Sequence, residues 1–183
     1  EGLKISVKTR LGFFDPEEFY DLVEIFNGYP VSELIVHPRI RSDFYKGEIR
    51  KEFYAYAVEH SQCPLVYNGN IFAVKDYEEF SSCFDRSLDP VMLGRGLVSD
   101  PSLAGKLKGV AFETDIVRFR TFHDTLYHEY QKIMSPDINV LHKMRELWSY
   151  WQDLFEGKDR DMKRLIKAKK YPEYEEAVYR ILE

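Results

Sequence analysis

From its start to about position 109 the chain alternates short apolar runs with amphipathic segments, and this alternation constrains the fold more than any other feature. Strands that alternate with helices close through right-handed βαβ crossovers, which lay the strands parallel in one sheet. Residues 3–10 (LKISVKTR) read as the first strand. Asp15 then supplies an N-cap, Pro16 an N1 proline, and Glu17 and Glu18 early carboxylates, so a helix is expected over 15–26. A second strand is read at 33–37 (ELIVH) with a helix near 49–60, and a third at 64–68 (PLVYN) with a helix near 74–83. The fourth is read at 89–94 (DPVMLG). A period of about 30 residues suits a (β/α)8 barrel. An open doubly wound sheet is the competing arrangement, but its phosphate loop normally follows the first strand rather than the last.

Beyond Gly109 the pattern is helical. One long amphipathic segment covers 114–134, and Ser135, Pro136 and Asp137 cap a second that reaches about 155. Leu141, Met144, Leu147, Trp148 and Trp151 form its apolar stripe, and Gly157 ends it. A third helix is expected over 160–169 and a fourth after Pro172. The expected fold is therefore the C-terminal half of a (β/α)8 TIM barrel, four βα units over residues 1–109. An all-α helical bundle over 110–183 follows it.

A chain of 183 residues is long enough to bury a core. No apolar run approaches the ~20 residues of a membrane span, and the N-terminal residues lack a signal-peptide layout. Cys63 and Cys83 have neither CxxC nor zinc spacing, which suits small buried apolar residues in a reducing, cytoplasmic setting. The net charge of −5 does not advertise a nucleic-acid binder. Charge is uneven, however: residues 158–170 carry seven basic side chains against two acidic ones. That strip suits either phosphate contact or a solvated helix face.

In parallel α/β folds ligands sit at the C-terminal ends of the strands. The first strand delivers Lys8 and Arg10 there, and the second His37, Arg39 and Arg41. The third delivers Asn68, Gly69 and Asn70, and the fourth Gly94, Arg95 and Gly96. Each has a bland reading as a strand end, a satisfied core histidine or an Asn-Gly turn. Four such ends on one rim point to a ligand. After Gly94, Ser99 reads as a helix cap and Pro101 as an early helical residue, so the stretch resembles a grip for an anion such as phosphate.

The ordered series VKTRLG, VHPRIRSDFYKG, YNGNI and VMLGRGLVSDPSL, over about residues 3–108, resembles the second half of a tRNA-dihydrouridine synthase. That family is a flavin-dependent TIM barrel followed by a helical tRNA-binding domain. Val140, Leu141, His142, Lys143, Met144, Arg145 and Trp151 echo the family's tail more weakly. The resemblance implies FMN as cofactor, NADPH as reductant and tRNA as partner. Lys8 and His37 would meet the flavin, and Asn68, Gly69 and Asn70 would line the loop that admits the ribityl phosphate. Gly94 and Arg95 would hold that phosphate. Arg10 would face the nucleotide, Arg39 and Arg41 flavin or RNA, and Tyr45 the RNA, while Lys163, Arg164, Lys167 and Lys170 on the basic strip would meet tRNA.

Two departures stand out. Asn70 occupies a position where the family usually has an acidic residue. The family's catalytic cysteine belongs to the first barrel half, and neither Cys63 nor Cys83 matches its motif, so no proton donor is assigned. The fragment alone is expected to be inactive. It is expected to need the other barrel half or to self-associate through exposed strand edges. A different phosphate-binding barrel enzyme acting on a small molecule, or a non-catalytic RNA-binding protein on the same scaffold, would share these features.

Overall fold

The computed structural model describes residues 2–84, 90–110 and 115–183. They divide into two compact units, Glu1–Gly94 and Arg95–Glu183.

In the first unit three strands pair in parallel and in sequential order: β1 (Ser6–Arg10), β2 (Glu33–His37) and β3 (Leu65–Tyr67). Helices α1 (Glu18–Asn27), α2 (Lys51–His60) and α3 (Val74–Ser81) follow the successive strands. The fourth expected strand is corrected. In its described part it contributes one parallel bridge, Tyr67 to Val91, supported by Met92 N–H donating to Tyr67 O at 2.7 Å. Asp89 lies outside the described residues. Sequential parallel neighbours are the repeating unit of a barrel, whereas a doubly wound sheet reverses order at a switch point. The described strands contain no such reversal.

Residues in register share a face of the sheet. Val7, Leu34 and Leu65 pair across one face, as do Thr9, Val36 and Tyr67. This face builds the core. Leu34, Val36 and Tyr67 are buried with Phe19 and Val23 of α1, Phe53, Tyr54 and Ala57 of α2, and Phe80 of α3. The Tyr67 and Phe80 rings stack at 4.0 Å, and Tyr54 meets Tyr67 edge-on at 5.1 Å. The opposite face carries Lys8, Arg10, Ile35, His37 and Val66.

Helix α1 starts close to where its signals stand. Asp15 accepts from Glu17 N–H at 2.9 Å, but its turn belongs to a loop, and α1 proper begins at Glu18. The Glu18 carboxylate folds back to accept from the N–H groups of Phe13, Phe14 and Asp15. Those bonds, Asp15 first, favour the ionised carboxylate and hold its pKa below the usual carboxylate range. Gly12 is required here, because a Cβ would overlap the Asp15 carbonyl.

The second unit is helical: α4 (Arg95–Ser99), α5 (Leu103–Leu107), α6 (Ile116–Ile133), α7 (Asp137–Trp151), α8 (Asp159–Lys167) and α9 (Tyr171–Ile181). Its core gathers Phe119, Tyr127, Leu141, Met144, Trp148, Trp151, Leu165, Tyr174 and Ile181. The apolar stripe expected on α7 is this core's centre, with Leu147 packed at its edge. The compact division falls at Gly94, before the change of pattern at Gly109, for an identifiable reason. Trp151 donates its indole N–H to Val98 O at 2.8 Å, which ties α4 to α7. Gly157, with φ +76°, ends the turn after α7 as its position suggests.

Candidate functional site at the strand ends

Lys8, Arg10 and His37 project from the sheet face opposite the first unit's helices, and Asn68 continues that face two residues beyond Val66. Partial burial, with the charge of Arg10 adding to it, draws the Lys8 ammonium below the ordinary lysine range. Arg10 leans onto the next loop, where Nη1 donates to Ile40 O at 2.8 Å and the guanidinium lies 5.7 Å from the Tyr45 ring centre. Tyr45 is itself exposed, with its ring 6.4 Å from the His37 ring.

His37 and Arg39 are both buried, Arg39 with only 2% of its surface accessible. The Arg39 guanidinium is therefore held inside the first unit. It donates from Nε to Gly47 O at 2.6 Å and from Nη1 to Asn70 Oδ1 and His37 Nε2, each at 3.2 Å. The Asn70 amide oxygen thus serves as an acceptor for the buried guanidinium. Arg41 is exposed and stacks over the Phe13 ring at 4.5 Å. The loop bearing Tyr45 is fastened by Asp43, which takes Ile40 N–H at 3.1 Å and pairs with Arg50. That hydrogen bond from Arg50 holds the Asp43 carboxyl well below its usual range.

Asn68 donates its amide to Met92 O at 2.8 Å, joining the third strand end to the stretch before Gly94. A Cβ on Gly69 would overlap the Tyr67 hydroxyl, so that glycine is required by packing. Gly94 differs: a Cβ there would meet no atom within 4 Å, and its φ does not demand glycine. Its small size leaves the backbone approachable from outside.

Arg95 is the first residue of α4. Ser99, expected as a cap, is instead the last residue of that helix, and Ser102 is the N-cap of α5, without a side-chain cap bond. Asp100 accepts from Ser102 N–H at 2.9 Å and from Lys106 Nζ at 2.6 Å.

On α8, Lys163, Arg164 and Lys167 are exposed on one face with Arg160, while Met162 and Leu165 are buried on the other. The helical spacing i, i+3, i+4 and i+7 makes this a single basic stripe. Lys170 sits apart from it, as the N-cap of α9. Glu173 and Glu176 line the groove that Arg164 and Lys167 share with α9.

The dihydrouridine synthase family model matches residues 2–181. The chain belongs to the dihydrouridine synthase family. It resembles the tRNA-dihydrouridine(16) synthase of Vibrio parahaemolyticus, 31% identical over 109 residues, which cover 58% of this chain and 33% of that protein. The namesake enzyme of Aquipseudomonas alcaligenes is 32% identical over 109 residues, 59% of this chain and 34% of its own. That of Cupriavidus necator is 31% identical over 111 residues, again 59% and 33%. The chain's matched region spans about a third of the length of these relatives. Among the described residues no helix is long and apolar enough to cross a membrane.

Sequence reasoning missed three features of this dihydrouridine synthase chain. The Asp43–Arg50 pair had no spacing signal, being a loop contact. The Glu18 nest was signalled by the D-x-x-E pattern at Asp15 and Glu18, a capping box in outline. Cys83, expected to be buried, is exposed with Lys51 Nζ 3.4 Å from its sulfur, whereas Cys63 is buried.

Proposed function

We propose that this chain is part of an FMN-dependent oxidoreductase that reduces uridine to 5,6-dihydrouridine in tRNA with NADPH, and that it supplies flavin-holding strand ends and a tRNA-binding helical region. The supporting observation is the gathering of Lys8, Arg10, His37 and Asn68 on one sheet face at the strand ends, within a family match over nearly the whole chain. The donor set suits a flavin. A lysine cation can stabilise the negative charge that a reduced isoalloxazine carries on its pyrimidine portion. The approachable backbone at Gly94 and the Arg95 that follows it suit a terminal phosphate. When bound, FMN supplies the hydride for C6 of the uracil; the chain's own residues bind, orient and shield. A uridine leaves its stack to meet such a site, as bases do in enzymes that modify them. The relatives' names make uridine 16 of tRNA the first substrate to assay.

Replacing Arg95 with alanine is expected to weaken FMN binding about tenfold or more through loss of a charge-assisted phosphate contact, with riboflavin binding unmoved. Fluorescence titration reads both. Equal FMN affinity in the two proteins removes Arg95 from the site.

The basic stripe of α8 contributes sequence-independent phosphate contacts to folded RNA. Neutralising Lys163, Arg164, Lys167 and Lys170 together is expected to weaken tRNA binding and lower the slope of log K against log[salt] by about two or more. An unchanged slope returns the stripe to a solvated helix face.

A further inference from the structure

The described polar groups around His37 carry one inference beyond the family's activity. Arg39 is a buried guanidinium whose donors reach the His37 ring, the Gly47 carbonyl and the Asn70 amide oxygen. Its contacts come from three stretches: the end of β2, the loop after it, and the loop after β3.

A guanidinium has donors and no acceptor. At the 3.2 Å contact between Arg39 Nη1 and His37 Nε2, the imidazole nitrogen must therefore supply the lone pair. We propose that Arg39 is a positioning residue that fixes His37 as the neutral Nδ1–H tautomer and holds its ring plane. The charges around this pair agree with it. Arg10 pairs with His37 across the strands, and Lys8 lies two residues away on the same face. Asp43, which feels the Arg39 charge, is already paired with Arg50. A proton on Nε2 would face the Arg39 cation at hydrogen-bond distance in a buried setting, which Coulomb repulsion opposes. Asn70 and the Gly47 carbonyl hold the guanidinium in place while remaining neutral themselves.

With Nε2 engaged, the other ring nitrogen is an N–H donor, suited to a carbonyl oxygen or ring nitrogen of a flavin or uracil. That consequence rests on the functional reading above; the tautomer does not.

The test is imidazole 15N NMR on the whole chain at neutral pH, with the His37 signal assigned by loss in His37→Gln. The expected spectrum has a protonated, pyrrole-type Nδ1 and an unprotonated, pyridine-type Nε2. Arg39→Lys, which keeps a charged donor, is expected to retain that pattern, and Arg39→Met to shift it toward the Nε2–H form. A wild-type His37 with its proton on Nε2, or with both nitrogens protonated, overturns the proposal whether or not any variant folds. An unchanged Nδ1–H pattern in a folded Arg39→Met protein overturns it as well. No flavin or RNA enters the measurement, so failure of FMN or tRNA binding sinks the functional reading and leaves this result standing.

Discussion

Replacing Trp148 with alanine is expected to destabilise the helical unit by about 4 kcal/mol, the usual scale for removing a large aromatic from a closed core. Trp148 has no accessible surface. Its ring meets Phe119 at 5.9 Å, Trp151 at 5.5 Å and Phe155 at 5.6 Å, so it joins α6, α7 and the turn after α7. The rings around it are fixed by one another and cannot close over the space of an indole. The indole N–H also donates to the Tyr174 hydroxyl at 2.9 Å, and alanine removes that bond with the ring. Denaturant melts followed by near-ultraviolet circular dichroism would read the loss. A change below about 1 kcal/mol would mean that the core collapses around the deletion and is not built on this side chain.

Tyr174→Phe is expected to cost about 2 kcal/mol, because one hydroxyl serves two buried partners. The Tyr174 oxygen accepts from Trp148 and lies 2.6 Å from His123 Nε2, while His123 Nδ1 lies 2.8 Å from Asp124 Oδ1. With the tyrosine oxygen donating to Nε2, Nδ1–H donates to Asp124, and the chain of bonds closes with His123 neutral. Phenylalanine fills the same space but leaves an indole N–H and an imidazole nitrogen without partners.

The same network sets a pH dependence. Burial, opposed by Asp124, holds the His123 pKa below 6.5 in the folded chain. The unfolded chain therefore binds more protons below pH 6.5, so the contribution is full above that value and is lost as pH falls toward the folded pKa. Stability of the helical unit is expected to decline as pH falls below about 6.5 toward the folded pKa, and His123→Gln is expected to flatten that decline. A wild-type profile flat over this range would contradict the neutral, buried histidine.

How much of this could be read in the sequence depended on how local the cause was. Glu33–His37 was legible to the residue, because the short apolar run Leu34, Ile35 and Val36, buried on both faces, is bounded by polar residues at a strand's length. The expected fourth strand was not, because an apolar run says what can pair, and only a single bridge forms there among the described residues. The start of α9 was marked by Pro172, while Ser99 misled because a serine before a proline caps or ends a helix equally well. Arg39 and Arg41 look alike in the sequence, yet one is buried in a clamp and the other lies over Phe13. Which guanidinium turns inward was decided by the Gly47 carbonyl and Asn70, contributed by loops distant in sequence. The gathering of Lys8, Arg10, His37 and Asn68 was legible, since parallel strands in register carry their ends to one edge.

The measurement that tests the central claim most directly is a titration of the purified, folded chain with FMN and, separately, with riboflavin, followed by flavin fluorescence. The proposed phosphate grip at the third strand end and Gly94 predicts FMN binding at least about tenfold tighter than riboflavin. Equal affinities, or no binding of FMN by a chain whose circular dichroism shows it folded, would contradict the assignment of a flavin-phosphate site to these residues.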